Sequence, residues 1–308
     1  VQLSSVASGV FRTCQQPNYR CIRPPGGGVN RPEKGSCVPG QPSAGAHPAA
    51  HELLRYENME NEMNLVSELI NSFNPSDPNF RPTEIYNESW LIKLVMHYAS
   101  SIRDPDFSIN FHPGSTWYSE ALLPTKFKAR NQGDKLSESR TNADGVIGHF
   151  QIGNQAKADF ELSPTASQFI VLEAKMFSPL SPGITNARYY DQAARSVACM
   201  AEAISLSGVE PRQINDVGFI VLAPEASIGK ETFDEQLSKS SIQEKVHRRV
   251  NAYEGEFKDW FEKSFLPILS IIQINSFSWE YVISWLSSHN TDIKKDLQRY
   301  YQQCLDFN

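Results

Sequence analysis

The sequence predicts an α/β protein: a mixed central β-sheet covered by helices on both faces, continued by a helical C-terminal part. Three observations predict it. Between residues 84 and 224 the periodicity changes in the order helix, three strands, helix, strand. The segment from Val217 to Ala223 is apolar throughout, as a strand buried on both faces of a sheet must be. Beyond residue 230 the apolar positions return at helical spacing.

Residues 1–56 stand apart from the rest. Runs such as Pro24-Pro25-Gly26-Gly27-Gly28 bury too little apolar surface to offset chain entropy, and Glu33 is the sole acid of the first fifty residues. A disordered leader or tag-like segment is expected there, with Met59 and Met63 as alternative natural starts. A core domain is expected over 57–229. Within it, Leu65, Val66, Leu69 and Ile70 mark a short helix. A second helix should cover roughly 84–101, with Trp90, Leu91, Leu94, Val95 and Tyr98 on one face and Asp104-Pro105 as its stop. Strands follow over 117–127, 144–152 and 168–176, then a Pro-rich break over 178–183. A long helix over roughly 186–206 precedes the strand 217–223. The C-terminal part, 230–308, should consist of a long helix to Phe265 and two shorter ones, over 279–286 and 292–305, packed on the core.

Composition excludes several classes. With a net charge of −6, the chain does not coat nucleic acid through overall charge, so any polyanion site has to be a local basic patch. No apolar run approaches the roughly 20 residues that cross a bilayer, and a cytoplasmic protein without membrane contact is the expectation. Cys14, Cys21 and Cys37 lack the spacing of a zinc site, and His97, His112, His149 and His247 show no ligand spacing. No glycine loop of the Walker type is present, so ATP use has no support.

The residues that carry chemistry lie on two strands. The apolar run Phe169-Ile170-Val171-Leu172 leads into Glu173-Ala174-Lys175, and alternation puts Glu173 and Lys175 on one face at the end of a buried strand. A charged pair there is costly without partners. Asp144, in Ala143-Asp144-Gly145, opens the preceding strand, and a hairpin of the two strands would set it beside Glu173. Two carboxylates held close repel, and a hard oxygen-seeking cation such as Mg²⁺ relieves the repulsion. Lys126 and Lys128 share a strand face and, with Arg130, form a local basic segment suited to phosphate contacts or to plain solvation. Lys245, Arg248 and Arg249 cluster at helical spacing, and their acidic neighbours favour a solvated face.

This arrangement resembles the PD-(D/E)xK nuclease superfamily over roughly residues 84–224, in the element order of a restriction-endonuclease-like core. The resemblance puts Asp144 in the place of the motif's aspartate and Glu173 and Lys175 in its second half; Ala143 stands where the motif has proline. It also implies a glutamate on the first core helix, matched by Glu88, and a glutamine on the helix after the motif, matched by Gln192. Glu120, on the strand before Asp144, competes with Glu88 and reads more simply as a solvated strand position. The resemblance implies Mg²⁺ held by Asp144, Glu173 and Glu88, with Mn²⁺ as a substitute, and DNA as substrate and partner; homodimer formation stays open. A catalytically silent nuclease-fold protein that binds nucleic acid or a partner protein is the alternative. An unrelated helical interaction module on residues 230–308 is a third reading.

Overall fold

The most uniformly apolar stretches of the chain occupy the interior of one five-stranded sheet. The computed structural model describes residues 80–139, 141–153, 158–183, 186–229 and 231–308. The expected leader and the expected helix around Leu65 to Ile70 lie outside the described residues. The sheet comprises β1 (Thr116–Leu123), β2 (Thr141–Gly148), β5 (Gln168–Ala174), β6 (Asp216–Ala223) and β7 (Gln273–Ser278), in the order β1-β2-β5-β6-β7. The pairs β1–β2 and β2–β5 are antiparallel, whereas β5–β6 and β6–β7 are parallel. The class is therefore α/β with a mixed sheet, as the sequence predicts. A separate hairpin, β3 (Phe150–Ile152) with β4 (Phe160–Leu162), sits between β2 and β5.

Alternation along β5 divides the core in two. Ile170 and Leu172 face one cluster, formed with helices α1 (Glu88–Ala99), α6 (Trp279–His289) and α7 (Lys294–Phe307). Phe169 and Val171 face the other, formed with α2 (Gln192–Ser207), α3 (Glu231–Leu237), α4 (Lys239–Asn251) and a helical run over 258–271 (α5) that contains a π-turn. Each fully buried Leu, Ile or Phe contributes roughly 1.5–3 kcal/mol, so these two layers hold the sheet rigidly in place. Among the described residues no helix is long and apolar enough to cross a membrane.

Several expected boundaries move for identifiable reasons. The strand expected over 117–127 ends at Leu123, because Pro124 cannot continue the ladder. The strand expected over 144–152 breaks after Gly148, whose φ of 148° no other side chain adopts readily and whose Cβ would stand 2.2 Å from the Gln168 carbonyl. The helix after the motif begins at Gln192, not near residue 186, capped by the Asp191 carboxylate on the Ala194 N–H at 3.1 Å. On α1 the buried positions are Leu91, Ile92, Val95, Met96 and Ala99, while Trp90 is 51% exposed rather than on the core face. The long helix expected from residue 230 to Phe265 divides into α3, α4 and the start of α5. The C-terminal part also supplies β7, a strand where only helix was expected.

Candidate active site

The functional geometry arises where β2 and β5 stop pairing. Their ladder runs from Gly148 opposite Phe169 to Gly145 opposite Leu172. One residue further, the Asp144 side chain takes the place of a strand partner: its Oδ2 accepts the Ala174 N–H at 2.8 Å. That bond holds the Asp144 carboxylate next to the main chain that carries Glu173 and Lys175. The glycine after Asp144 has a packing cause, since a Cβ on Gly145 would stand 2.8 Å from the Met96 sulfur of α1. Helix α1 thus presses against the sheet directly beside the aspartate.

Glu173 is only 1% exposed, and most of its polar capacity is spoken for. Its Oε1 accepts from Lys175 Nζ at 2.7 Å and from Gln192 Nε2. The Gln192 amide is itself fixed, its Oε1 accepting from both the N–H and the hydroxyl of Ser181 at 3.0 Å. Lys175 is anchored through its backbone: its N–H donates to Leu222 O of β6, and its carbonyl accepts from Trp279 Nε1, each at 2.8 Å. Glu173 Oε2, in contrast, is buried and meets no donor among the described residues.

Electrostatics follow from this placement. Burial, reinforced by the Asp144 charge, pushes the Glu173 carboxyl up to about 8, against the opposing pull of Lys175. Burial also raises Asp144; the Ala174 N–H, a hydrogen bond with the Glu173 carboxyl and then Lys175 counter this, and Glu120 adds to it. At neutral pH the pair accordingly retains a proton unless a cation replaces it. Carboxylates displaced by burial and by a specific charged neighbour are common at functional positions.

The structure brings Asp144, Glu173, Lys175 and Gln192 together and treats the two remaining glutamates differently. Glu88 is the first residue of α1, where its charge adds to the burial that raises the Cys304 thiol on α7. Glu120 is the carboxylate that acts on Asp144. It is exposed, its φ is 59°, and its Oε1 accepts from Ser89 at 2.9 Å, which in turn accepts from Lys93 at 3.0 Å. A non-glycine residue in the left-handed region carries strain that a strand interior does not usually tolerate. The pattern of facing side chains changes there: Tyr118 and then Ala121 face the same cluster, where strict alternation would separate them. The sequence signal for Glu120 was its position on the strand beside Asp144; its strained backbone left no mark in the sequence.

The expected basic segment lies elsewhere. Lys126 and Lys128 fall past the end of β1, near Glu202, and Lys126 covers the Phe257 ring. Glu202 stands ten residues along α2 from Gln192, or roughly 15 Å at 1.5 Å per residue. Arg130 is engaged with Asp134 at 2.9 Å and Glu256 at 3.3 Å. The cluster on α4 is not the solvated face its neighbours suggested. Lys245 pairs with the cap residue Asp191 at 2.7 Å, and Arg249 is fully buried among the rings of Phe127, Tyr190 and Tyr253. Only Arg248 of the three is exposed, and it lies over Tyr189.

Among the described residues no three His, Cys, Asp or Glu side chains gather into a ready-made metal cage. Mg²⁺ does not need one: it keeps several waters and is commonly bound by one or two carboxylates together with phosphate oxygens of a substrate. The donor-free Oε2 of Glu173 beside the Asp144 carboxylate fits that requirement, as two hard anionic oxygens whose mutual repulsion a cation removes. Neither a family model, nor a curated protein, nor a solved structure matches this chain.

Proposed function

We propose that the chain is a metal-dependent nuclease that hydrolyses phosphodiester bonds in DNA, with Asp144, Glu173, Lys175 and Gln192 as its working group. The observation that supports this most strongly is the meeting of an unsatisfied buried carboxylate, a second carboxylate and a lysine where β2 and β5 separate. Mg²⁺, or Mn²⁺ in its place, held by Asp144 and Glu173, would acidify a water and offset charge on the phosphate.

The remaining roles belong to the chain. The Ala174 N–H keeps Asp144 oriented, and Gln192, locked by Ser181, fixes which Glu173 oxygen stays free. Lys175 Nζ, hydrogen-bonded to Glu173, is placed to orient the attacking nucleophile and to stabilise charge building on the phosphoryl oxygens. The test is cleavage of single-stranded, duplex and branched DNA with Mg²⁺ or with EDTA. Cleavage that requires the metal and disappears in Asp144→Asn is the expected result. No cleavage of any of these forms by the wild-type protein with Mg²⁺ or Mn²⁺ would favour the catalytically silent alternative.

A further inference from the structure

The register of β1 and β2 places a third carboxylate beside Asp144. Ser119 pairs with Gly145 and Ala121 with Ala143, so Glu120 stands across from Asp144, and its φ of 59° leaves a gap in the ladder there. One step past the pair of Gly145 with Leu172, Asp144 stands in turn across from Glu173. Glu120, Asp144 and Glu173 thus occupy successive positions on the neighbouring strands β1, β2 and β5. Strain of the Glu120 kind persists where the surroundings hold it, and it gathers at functional sites. Helix α1 supplies the hold: the Ser89 hydroxyl donates to Glu120 Oε1 at 2.9 Å.

Lys93, one turn further along α1, donates to the same Ser89 hydroxyl at 3.0 Å and lies 5.2 Å from the Trp90 ring centroid. An ammonium carries three donors, and this one fills a single hydrogen bond among the described residues, with no carboxylate paired to it there. An ion pair formed to hold Glu120 would bring the ammonium onto the carboxylate, as Lys175 comes to Glu173 at 2.7 Å. Here a neutral hydroxyl is interposed instead. Lysines therefore border the three carboxylates from both ends, Lys175 on β5 and Lys93 beside β1. Two strand spacings separate β1 from β5, roughly 10 Å. Successive phosphates of one DNA strand advance by about 3.4 Å of helix axis, so the span suits neighbouring phosphates better than one shared by both lysines.

We propose that Lys93 binds the substrate, holding a phosphate next to the scissile one, so that the bound DNA strand runs from Lys175 across the carboxylates onto helix α1. This rests on the nuclease reading and adds to it the path of the bound strand. In the free protein Nζ rests on the Ser89 hydroxyl. A phosphate replaces that neutral acceptor with a charged one, and charge-assisted hydrogen bonds are roughly twice as strong. Ser89 has a separate, positioning role: it orients Glu120 and acts on the metal only through it.

The experiment uses the full chain with labelled duplex and single-stranded DNA. Affinity in EDTA and kcat/KM with Mg²⁺ are each measured over a series of salt concentrations. Lys93→Ala is expected to weaken DNA binding roughly tenfold, as for loss of one charged hydrogen bond. It should also flatten the slope of log affinity against log salt by about one, the signature of a lost phosphate contact. KM should rise with kcat nearly unchanged, and Lys93→Arg should restore most of the loss. Ser89→Ala should instead shift the Mg²⁺ concentration for half-maximal cleavage and leave the salt slope as in wild type. Lys93 is half-buried on α1 and alanine is the strongest helix former, so folding should be unaffected, which circular dichroism checks. A Lys93→Ala variant with wild-type KM and salt slope, or one altered only in its Mg²⁺ requirement, overturns the inference; metal-dependent cleavage by the wild type then keeps the nuclease reading. Salt-sensitive binding that needs Lys93 in a protein that cuts no DNA upholds the phosphate contact and removes the nuclease reading. A wild type that neither binds nor cuts DNA overturns both.

Discussion

Glu173→Gln separates a metal-binding carboxylate from a structural ion pair. The wild-type carboxyl has a folded value of about 8 against an ordinary value of 4.5. Below pH 4.5 both folded and unfolded chains hold the proton, and above 8 neither does. Between those limits only the folded chain holds it, so stability falls as pH rises, by about 1.4 kcal/mol per unit for one proton. From pH 5 to pH 8 that amounts to roughly 4 kcal/mol. At about 2–4 °C per kcal/mol for a domain of this size, the melting temperature should fall by roughly 8–16 °C in EDTA. Glutamine keeps the oxygen that Lys175 and Gln192 contact and removes the charge that repels Asp144. The variant should therefore lose most of this pH dependence and melt higher than wild type near pH 8 without metal. Added Mg²⁺ should raise the wild-type melting temperature and leave the variant unmoved. Thermal melts across pH, with EDTA and with Mg²⁺, supply the whole comparison. A structural pair predicts the reverse: loss of Glu173 leaves Lys175 uncompensated and destabilises by roughly 3–5 kcal/mol at neutral pH. That result, together with a wild type indifferent to Mg²⁺, would refute the reasoning.

Lys175→Ala should stop DNA cleavage while calorimetry still detects Mg²⁺ binding, because lysine is not a ligand; joint loss of both would remove its separate catalytic role. Gln192→Leu removes the partner that fixes Glu173 Oε1 and strands the Ser181 donors, so a loss of roughly 10- to 100-fold in metal affinity or activity is expected. Wild-type kinetics in this variant would show that Lys175 alone orients the glutamate. Glu120→Gln should raise the Mg²⁺ concentration needed for half-maximal cleavage, since Glu120 acts on Asp144, whereas Glu88→Gln should change it little. The opposite ranking would return the third carboxylate to α1.

What the sequence shows is governed by how local the physics is. Buried strands declare themselves through unbroken apolar runs, which is why β5 and β6 are placed to within two residues at each end. Glu173 and Lys175 are legible because a charged pair ending such a run conflicts with its surroundings. Strand β7 is not legible: Gln273-Ile274-Asn275-Ser276-Phe277-Ser278 mixes polar and apolar residues, lies at the sheet edge, and directly follows a helix. Its pairing with β6 is a non-local fact. The hairpin β3–β4 has three-residue strands, too short to show a period. The spacing of Trp90 fits a core position, but the buried stripe of α1 runs through Ile92 and Met96 instead. Glu120 reads as a solvated strand position, and nothing in the sequence marks the positive φ that sets it apart on β1.

The hydrogen bonds around Glu173 argue against an ion pair formed for stability alone. Lys175 already supplies a full opposite charge at 2.7 Å, so a purely structural arrangement would complete the remaining oxygen with a further donor. The site instead spends Gln192 and both Ser181 donors on constraining Oε1, and it sets the unfilled Oε2 beside another carboxylate. Asp144 is tied to a backbone N–H, which fixes its direction without neutralising it. A fold under selection for stability alone would eliminate this combination, since replacing buried ionic groups with apolar ones is often neutral or stabilising. Its presence in a fully buried strand is accounted for when the oxygens have an external partner, and two fixed anionic oxygens suit a hard divalent cation.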